Sequence, residues 1–220
     1  MSFRKYLFLT VIFVSGIIFS QTKSSIKYID SKSYVQKLDS LKNVFSNTSE
    51  VPQQFELAFY TALSYYPELS DAKIKMKYSG IKTTLNIRPT LFSLLFNKRN
   101  KRQYVLRINK HGRNGNIEMK DVPYQAAVGV FGHEFAHVLD YKSVGLLGIV
   151  QRSYWYLFKD SRTLFEHDID MLTIDQGLGW QLYEWSQYVL NSDDATKEYK
   201  ALKQERYLTP LEIISSINKE

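Results

Sequence analysis

The sequence predicts an α+β fold, in which a small β-sheet is followed by a helical C-terminal half. Lysines alternate with apolar side chains over residues 73–78, which is the pattern of a half-buried strand. Beyond residue 123, apolar side chains recur mostly at helical spacing. The chain has 220 residues, 44% of them hydrophobic, and can therefore form the core of a single domain, which we predict over residues 21–220.

The first 20 residues have the features of a secretory signal peptide. Arg4 and Lys5 precede an apolar segment that ends at Ser20, a small residue suited to cleavage. This segment is short for a membrane span. We therefore predict an exported protein, whether periplasmic, surface-associated or extracellular, with no stable membrane span after cleavage.

The rest of the chain divides into elements by its hydrophobic period. Residues 21–70 form a helical N-terminal part, with helices expected at 31–47 and 52–66. The predicted strands are 81–88 and 103–109 in addition to 73–78. Pro123 opens a helix that runs to about Tyr141. The later helices are predicted at 149–158, 163–176, 180–190, 194–206 and 210–219, with a break at Gly177 and Gly179.

Charge and cysteine content exclude several classes of function. The net charge is +7, and its densest run is Lys98, Arg99, Lys101 and Arg102, which we interpret as a solvated loop; no nucleic-acid partner is expected. The absence of cysteine excludes disulfides, thiolate metal sites and a cysteine nucleophile. Any zinc must therefore be held by imidazole and carboxylate groups, the ligands typical of catalytic sites.

An H-E-x-x-H motif at residues 133–137 lies within the helix that Pro123 opens. Residues four apart on an α-helix lie about 40° apart around its axis, so His133 and His137 can both reach one ion. Glu134 lies beside them, where its carboxylate can take a proton from metal-bound water. The alternative is a buried helix that carries polar residues by coincidence, but such residues are costly to bury without partners.

A third ligand must come from elsewhere, because a catalytic zinc is normally held by three protein groups. Ser143 occupies the place of the third histidine of metzincins, which excludes that arrangement. Glu166 and Asp170 share one face of a later helix. We assign Glu166 to zinc and Asp170 to the ring N–H of a zinc-bound histidine. His167 or Asp170 as the direct ligand, and a solvent-facing Glu166, remain as alternatives.

The pair of motifs resembles the gluzincin branch of the zincin metallopeptidases. The similarity rests on His-Glu-Phe-Ala-His at 133–137 and Glu-x-x-x-Asp at 166–170, and it extends over roughly residues 103–176. It implies a zincin-like domain that binds Zn²⁺ through His133, His137 and Glu166. Phe165 and Ile169 depart from the residues common at those positions in the family. No residue matches the family's oxyanion-stabilising side chain, for which His111, Tyr124 and Tyr183 are the candidates.

The predicted function is a zinc metallopeptidase in which Glu134 acts as general base on a peptide or protein substrate. By resemblance, strand 103–109 is expected to be an edge strand that pairs with the extended substrate, with His111 and the loop 111–116 at one rim. One alternative is a zinc-binding envelope protein with weak or no turnover. Another is an enzyme that hydrolyses a non-peptide amide in cell-wall fragments. The sequence does not indicate an oligomeric state.

Overall fold

The computed structural model describes residues 24–110 and 117–219. The predicted signal peptide at 1–20, the loop 111–116 and the candidate residue His111 lie outside the described residues. Among the described helices, none is long and apolar enough to cross a membrane.

The described chain is mostly helical and contains one small sheet, which confirms the predicted α+β class. The strands are β1 (Lys73–Ser79), β2 (Leu85–Pro89) and β3 (Gln103–Asn109). The helices before the motif are α1 (Ser31–Val44), α2 (Gln53–Leu63) and α3 (Leu91–Phe96). The others are α4 (Tyr124–Ser143), α5 (Leu146–Trp155), α6 (Lys159–Thr173), α7 (Gly179–Asn191), α8 (Lys197–Arg206) and α9 (Pro210–Ile217).

The sheet order corrects the predicted role of strand 103–109. The order is β1–β3–β2, so β3 is central rather than at an edge. It pairs in parallel with β1 and antiparallel with β2, with Ile74 opposite Tyr104 and Leu85 opposite Ile108. The apolar residues of β3 are buried, namely Tyr104, Leu106 and Ile108. Because β3 is central, its backbone pairs with a neighbouring strand on each side. The edge strand on the side of the motif helix is β2.

Helix α4 runs through the middle of the core. It packs against α2, α6 and α7 as well as β2, and its residues are buried without interruption from Ala126 to Val138. Two glycines allow this close packing. A Cβ built on Gly129 would lie 2.0 Å from the carbonyl oxygen of Gln181 on α7, and one on Gly132 would lie 2.6 Å from the side chain of Leu178. On another side of α4, Phe131 and Phe135 pack edge-on against Phe59 of α2.

A break in the helical backbone separates α6, which packs against α4, from α7. Between α6 and α7 the backbone turns at Gly177, whose φ of 90° suits a residue without a Cβ. This agrees with the break predicted there. Helices α5 and α6 each begin earlier than predicted, and α3 was not predicted.

In the basic run, Lys98, Arg99 and Lys101 are exposed, whereas Arg102 is buried and donates to the carbonyl oxygens of Tyr141 and Val144 at 2.8 Å each. The solvated-loop interpretation is therefore wrong for Arg102.

Candidate metal centre

Helix α4 places the two motif histidines on one face, one turn apart. Their ring centroids lie 4.9 Å apart with the ring planes at 86°, and a nitrogen of one ring lies within 4.8 Å of a nitrogen of the other. His133, Glu134 and His137 are all buried, each with 5–6% of its surface exposed. The helical spacing read from the sequence thus leads to two imidazoles that face one point within the protein.

Glu166 reaches the same point from α6. Its Oε2 atom lies 3.3 Å from Nε2 of His133 and 3.3 Å from Nε2 of His137. Its Oε1 atom accepts a hydrogen bond from the Tyr156 hydroxyl at 2.6 Å. The structure therefore brings together the three residues to which the sequence assigned a metal, and these three could hold a metal ion.

One oxygen of Glu166 shows why a cation fits here. Oε2 is buried and has no hydrogen-bond partner within the described part of the chain. A buried carboxylate oxygen without a partner is costly, and a cation placed between it and the two Nε2 atoms removes that cost. Burial raises the pKa of Glu166, but the neighbouring histidines outweigh this and hold it well below its usual range, so the carboxylate is ionised.

Asp170 fixes the orientation of His133. Its Oδ1 atom lies 2.7 Å from Nδ1 of His133, and its Oδ2 atom accepts from the backbone N–H of Leu208 at 2.9 Å. If Nδ1–H donates to Asp170, Nε2 is the atom left to face Glu166. Both carboxylate oxygens of Asp170 thus have partners. This leaves the carboxylate in an orienting position rather than among the three ligand atoms.

The charge state of His133 without metal follows from these contacts. Burial lowers the pKa of His133, but the hydrogen bond to Asp170 and the negative charges of Asp170 and Glu166 outweigh it and raise the pKa to about 10. Without metal, a proton on His133 therefore supplies positive charge between the two carboxylates. A metal ion must displace that proton in order to bind.

Glu134 lies beside the metal-ligand group without being part of it. Its Oε2 atom is buried and has no hydrogen-bond partner among the described residues. Burial raises the pKa of Glu134, while the charges of His137 and His133 oppose the change. A carboxyl group with a raised pKa, close to the ligand atoms, is suited to accept and return a proton.

Two tyrosines at the centre were missed by sequence reasoning. Tyr156 donates to Glu166, as described above, and the ring of Tyr207 lies 5.5 Å from the ring of His133. Tyr207 follows the last residue of α8, and Lys203 lies 3.9 Å over its ring. Burial raises the pKa of Tyr207 well above its usual value, so its hydroxyl keeps its proton. No local pattern marks either residue, because only tertiary packing brings them to α4.

Other candidates from the sequence lie elsewhere. The Tyr124 hydroxyl lies 2.9 Å from the hydroxyl of Thr61 on α2, and Tyr183 packs against Trp180. Neither lines the cleft at the metal centre. His167 is outside the group of possible ligands and lies near Glu212 of α9 instead. His167 lies on a different face of α6 from the one that Glu166 and Asp170 share.

A cleft of about 420 Å³ opens beside the centre. One wall is the edge strand β2 from Leu85 to Arg88, and the other side carries Ser153 and Tyr156. The metal centre contributes to the same lining, with His133, Glu134, His137 and Glu166 beside Tyr141 and Tyr207. The cleft is therefore bordered mainly by β2, with Arg107 as the residue of β3 in its lining, whereas the sequence had favoured 103–109 as the bordering strand.

Comparisons of the chain with known protein families, curated proteins and solved structures find no match. The resemblance to gluzincins therefore stays a prediction that rests on the two motifs. The geometry of the centre has to be interpreted on its own chemistry.

Proposed function

We propose that this protein is an exported zinc metallopeptidase that hydrolyses peptide bonds. The observation that carries the proposal is the buried Oε2 atom of Glu166, which faces Nε2 of both motif histidines and has no other described partner. Glu134, the second residue of the motif, lies beside these atoms and would act as the general base. The exported state rests on the signal-peptide pattern of residues 1–20 alone.

The donor set and its spacing support zinc. Two imidazole nitrogens and one carboxylate oxygen, with a fourth position open, form the ligand set of catalytic zinc sites. At zinc–ligand distances of about 2.0–2.1 Å, tetrahedral ligands lie about 3.3 Å from one another. The distances from Glu166 Oε2 to the two Nε2 atoms are both 3.3 Å. When bound, zinc lowers the pKa of a water molecule toward about 7 and polarises a carbonyl oxygen.

The chain's own residues would then perform the proton transfers. Glu134 takes a proton from the attacking water and delivers it to the departing amine, so that one carboxylate serves as base and then as acid. Asp170 keeps His133 in one tautomer throughout, and Tyr156 fixes the orientation of Glu166. We assign the stabilisation of the oxyanion to the Tyr207 hydroxyl, because the residue lines the cleft next to His133 and stays protonated.

The substrate would lie along β2. As an edge strand of the sheet, β2 offers backbone N–H and C=O groups on the side that is not paired with β3. An extended peptide can pair with such an edge while its scissile bond reaches the centre. This replaces the expectation that 103–109 is the pairing strand.

Metal analysis combined with turnover tests the proposal. The purified protein is expected to hold one zinc per chain and to cleave an unstructured protein substrate. His137→Ala and Glu166→Ala should lose the zinc, whereas Glu134→Gln should keep it and lose turnover by about 10³-fold. His167→Ala is the matched control and should keep both.

Each outcome separates the candidate functions. Zinc bound without turnover on any peptide would instead make this a zinc-binding module, and turnover restricted to cell-wall fragments would indicate a non-peptide amide. Full zinc in Glu166→Ala, with loss in His167→Ala, would overturn the ligand assignment.

A further inference from the structure

The cleft beside the metal centre carries three arginines. Arg88 lies on β2, Arg107 on β3 and Arg206 at the end of α8, so three separate elements bring guanidinium groups to one cavity. The same cavity contains both motif histidines and Glu134. A group bound at the arginines would therefore lie next to the atoms that react.

Arg107 is held in place by the sheet. It lies directly opposite Asn86 in the β2–β3 register, and its Nε atom donates to Asn86 Oδ1 at 2.8 Å. Burial lowers the pKa of Arg107, and the positive charge of Arg88 lowers it further, whereas Glu134 acts in the opposite direction. Arg107 is thus close enough to both Arg88 and Glu134 to interact with their charges.

These arginines have no anionic partner in the described chain. Within residues 24–110 and 117–219, no carboxylate lies within ion-pairing distance of Arg88, Arg107 or Arg206. The acidic residues that line this cleft are Glu134 and Glu166, which belong to the metal centre. Like charges that share one cleft repel one another, and an anion bound among them relieves the repulsion.

We propose that the cleft binds a carboxylate of the substrate next to the scissile bond, so that acidic peptides are the favoured substrates. The planar guanidinium group can bind a carboxylate through two parallel hydrogen bonds. The carboxylate could belong to an Asp or Glu side chain or to a free C-terminus. This inference rests on the proposed peptidase function for its setting, but the arginine subsite itself can be measured without catalysis.

Binding of matched peptides tests the subsite. Zinc-loaded Glu134→Gln protein is titrated with peptides that differ only in Glu against Gln beside the bond, or in a free against an amidated C-terminus. At least one carboxylate form should bind about tenfold more tightly than its neutral partner. The arm that shows the difference identifies the source of the carboxylate.

Variants connect the preference to the arginines. Arg107→Gln, made in the Glu134→Gln protein, should reduce the preference for the carboxylate peptide several-fold. Arg99→Gln is the matched control outside the cleft and should leave this preference unchanged. Equal affinity for acidic and neutral peptides, or a preference that survives in Arg88→Gln, Arg107→Gln and Arg206→Gln, would overturn the inference. Cleavage without an acidic preference would reject the subsite alone, and an acidic preference without cleavage would reject the peptidase alone.

A second, independent inference concerns the exposed surface of α3. Four of the six residues of this helix are large apolar side chains with most of their surface in solvent: Leu91 at 81%, Phe92 at 71%, Leu95 at 64% and Phe96 at 71%. The rings of Phe92 and Phe96 lie 4.8 Å apart and form one patch. Contiguous exposed apolar surface of this kind marks interaction sites in folded proteins.

Basic side chains border this patch. Lys98, Arg99 and Lys101 follow α3 and are exposed, and no carboxylate of the described residues is within ion-pairing distance of them. Arg99 donates to the carbonyl oxygen of Ser143 at 2.7 Å, which places the basic turn against the chain that leads into α5. Leu147 on α5 is itself 84% exposed.

We infer that this surface, formed by residues 91–101, docks on a bilayer that carries anionic headgroups. Leucine and phenylalanine side chains enter the boundary between headgroups and acyl chains, while lysine and arginine pair with lipid phosphates. The basic border favours anionic lipid over a second copy of this chain, which would bring the same positive charges together. Because α3 follows directly after β2, docking would hold one wall of the cleft near the membrane.

Sedimentation with vesicles tests the docking surface. The protein used is the chain after residue 20, which contains every described core residue. It is mixed with phosphatidylcholine vesicles, prepared with and without 30% phosphatidylglycerol. Binding is expected only with the anionic lipid and should weaken at high salt. Leu91→Ser should weaken it several-fold, whereas Leu211→Ser, which changes an equally exposed leucine on α9, should not.

Two results would overturn the inference. One is equal binding of Leu91→Ser and the unaltered protein to anionic vesicles. The other is self-association without lipid that Leu91→Ser abolishes, because the patch would then be covered by a second copy of the chain.

Discussion

The metal centre and the α3 surface depart from normal burial in opposite directions. The centre encloses two histidines and three carboxylates, whereas α3 leaves four large apolar side chains in solvent. Buried ionisable groups are stable only with partners, and exposed apolar groups gain nothing from the fold. Changes at the centre should therefore affect both structure and metal binding, while changes on α3 should leave folding intact.

A large loss of stability is expected from a change where α4 crosses α7. Gly129→Ala places a Cβ 2.0 Å from the carbonyl oxygen of Gln181, so the two helices must separate. We expect a loss of about 3 kcal/mol in the free energy of unfolding, measured by urea denaturation of the metal-free protein. Gly145→Ala is the matched control, because its Cβ meets no atom within 4 Å. Equal losses in both variants would contradict the close helix crossing.

Asp170→Asn should weaken zinc binding without removing a ligand. The amide can still accept from a backbone N–H, but it no longer places a negative charge 2.7 Å from Nδ1 of His133. Loss of such an orienting carboxylate lowers metal affinity by about 10- to 100-fold. Competition with a chelator measures the change, and Asp168→Asn, an exposed neighbour on the same helix, should leave the affinity as it is.

Zinc affinity should also increase with pH. Without metal, the raised pKa of His133 means that its proton stabilises the fold fully below pH 6.5 and that this contribution is lost as the pH rises toward about 10. Because zinc displaces this proton, its affinity should rise about tenfold per pH unit within that window. Titrations at pH 7 and pH 8 measure the slope, and an affinity that stays constant would contradict a protonated His133.

The smallest effect on stability is expected on α3. Phe92→Ser together with Phe96→Ser removes two rings that are each 71% exposed, so the free energy of unfolding should change by less than about 0.5 kcal/mol. Phe135→Ala, in contrast, removes a fully buried ring and should cost about 3–5 kcal/mol. Similar losses in both would show that α3 supports the core.

The parts of the site that the sequence could predict are those set by local spacing. His133 and His137 are one turn apart on α4, and Glu166 and Asp170 are one turn apart on α6, so each pair shares a helix face. The α+β class followed in the same way from the period of the apolar residues. What joins the two pairs is the packing of α4 against α6, which the sequence supported only through the need for a third ligand and through a resemblance.

The errors and omissions arise from contacts between distant residues. The central position of β3 depends on parallel pairing with β1, and hydrophobic alternation alone does not reveal the order of strands. Residues 91–96 were not predicted as a helix because the run is short and almost wholly apolar, without a clear period. Arg102 looked like its basic neighbours, but its partners are the carbonyl oxygens at the end of α4.

The bond from the Leu208 backbone to Asp170 extends the metal centre beyond the two motif helices. Tyr207, the neighbour of Leu208, packs against His133, so the connection between α8 and α9 lies against this imidazole. A shortened protein that stops at Arg206 would keep every ligand, yet the carboxylate that orients His133 would lose its second anchor. Metal retention in such a protein would therefore depend on a segment that contributes no ligand at all.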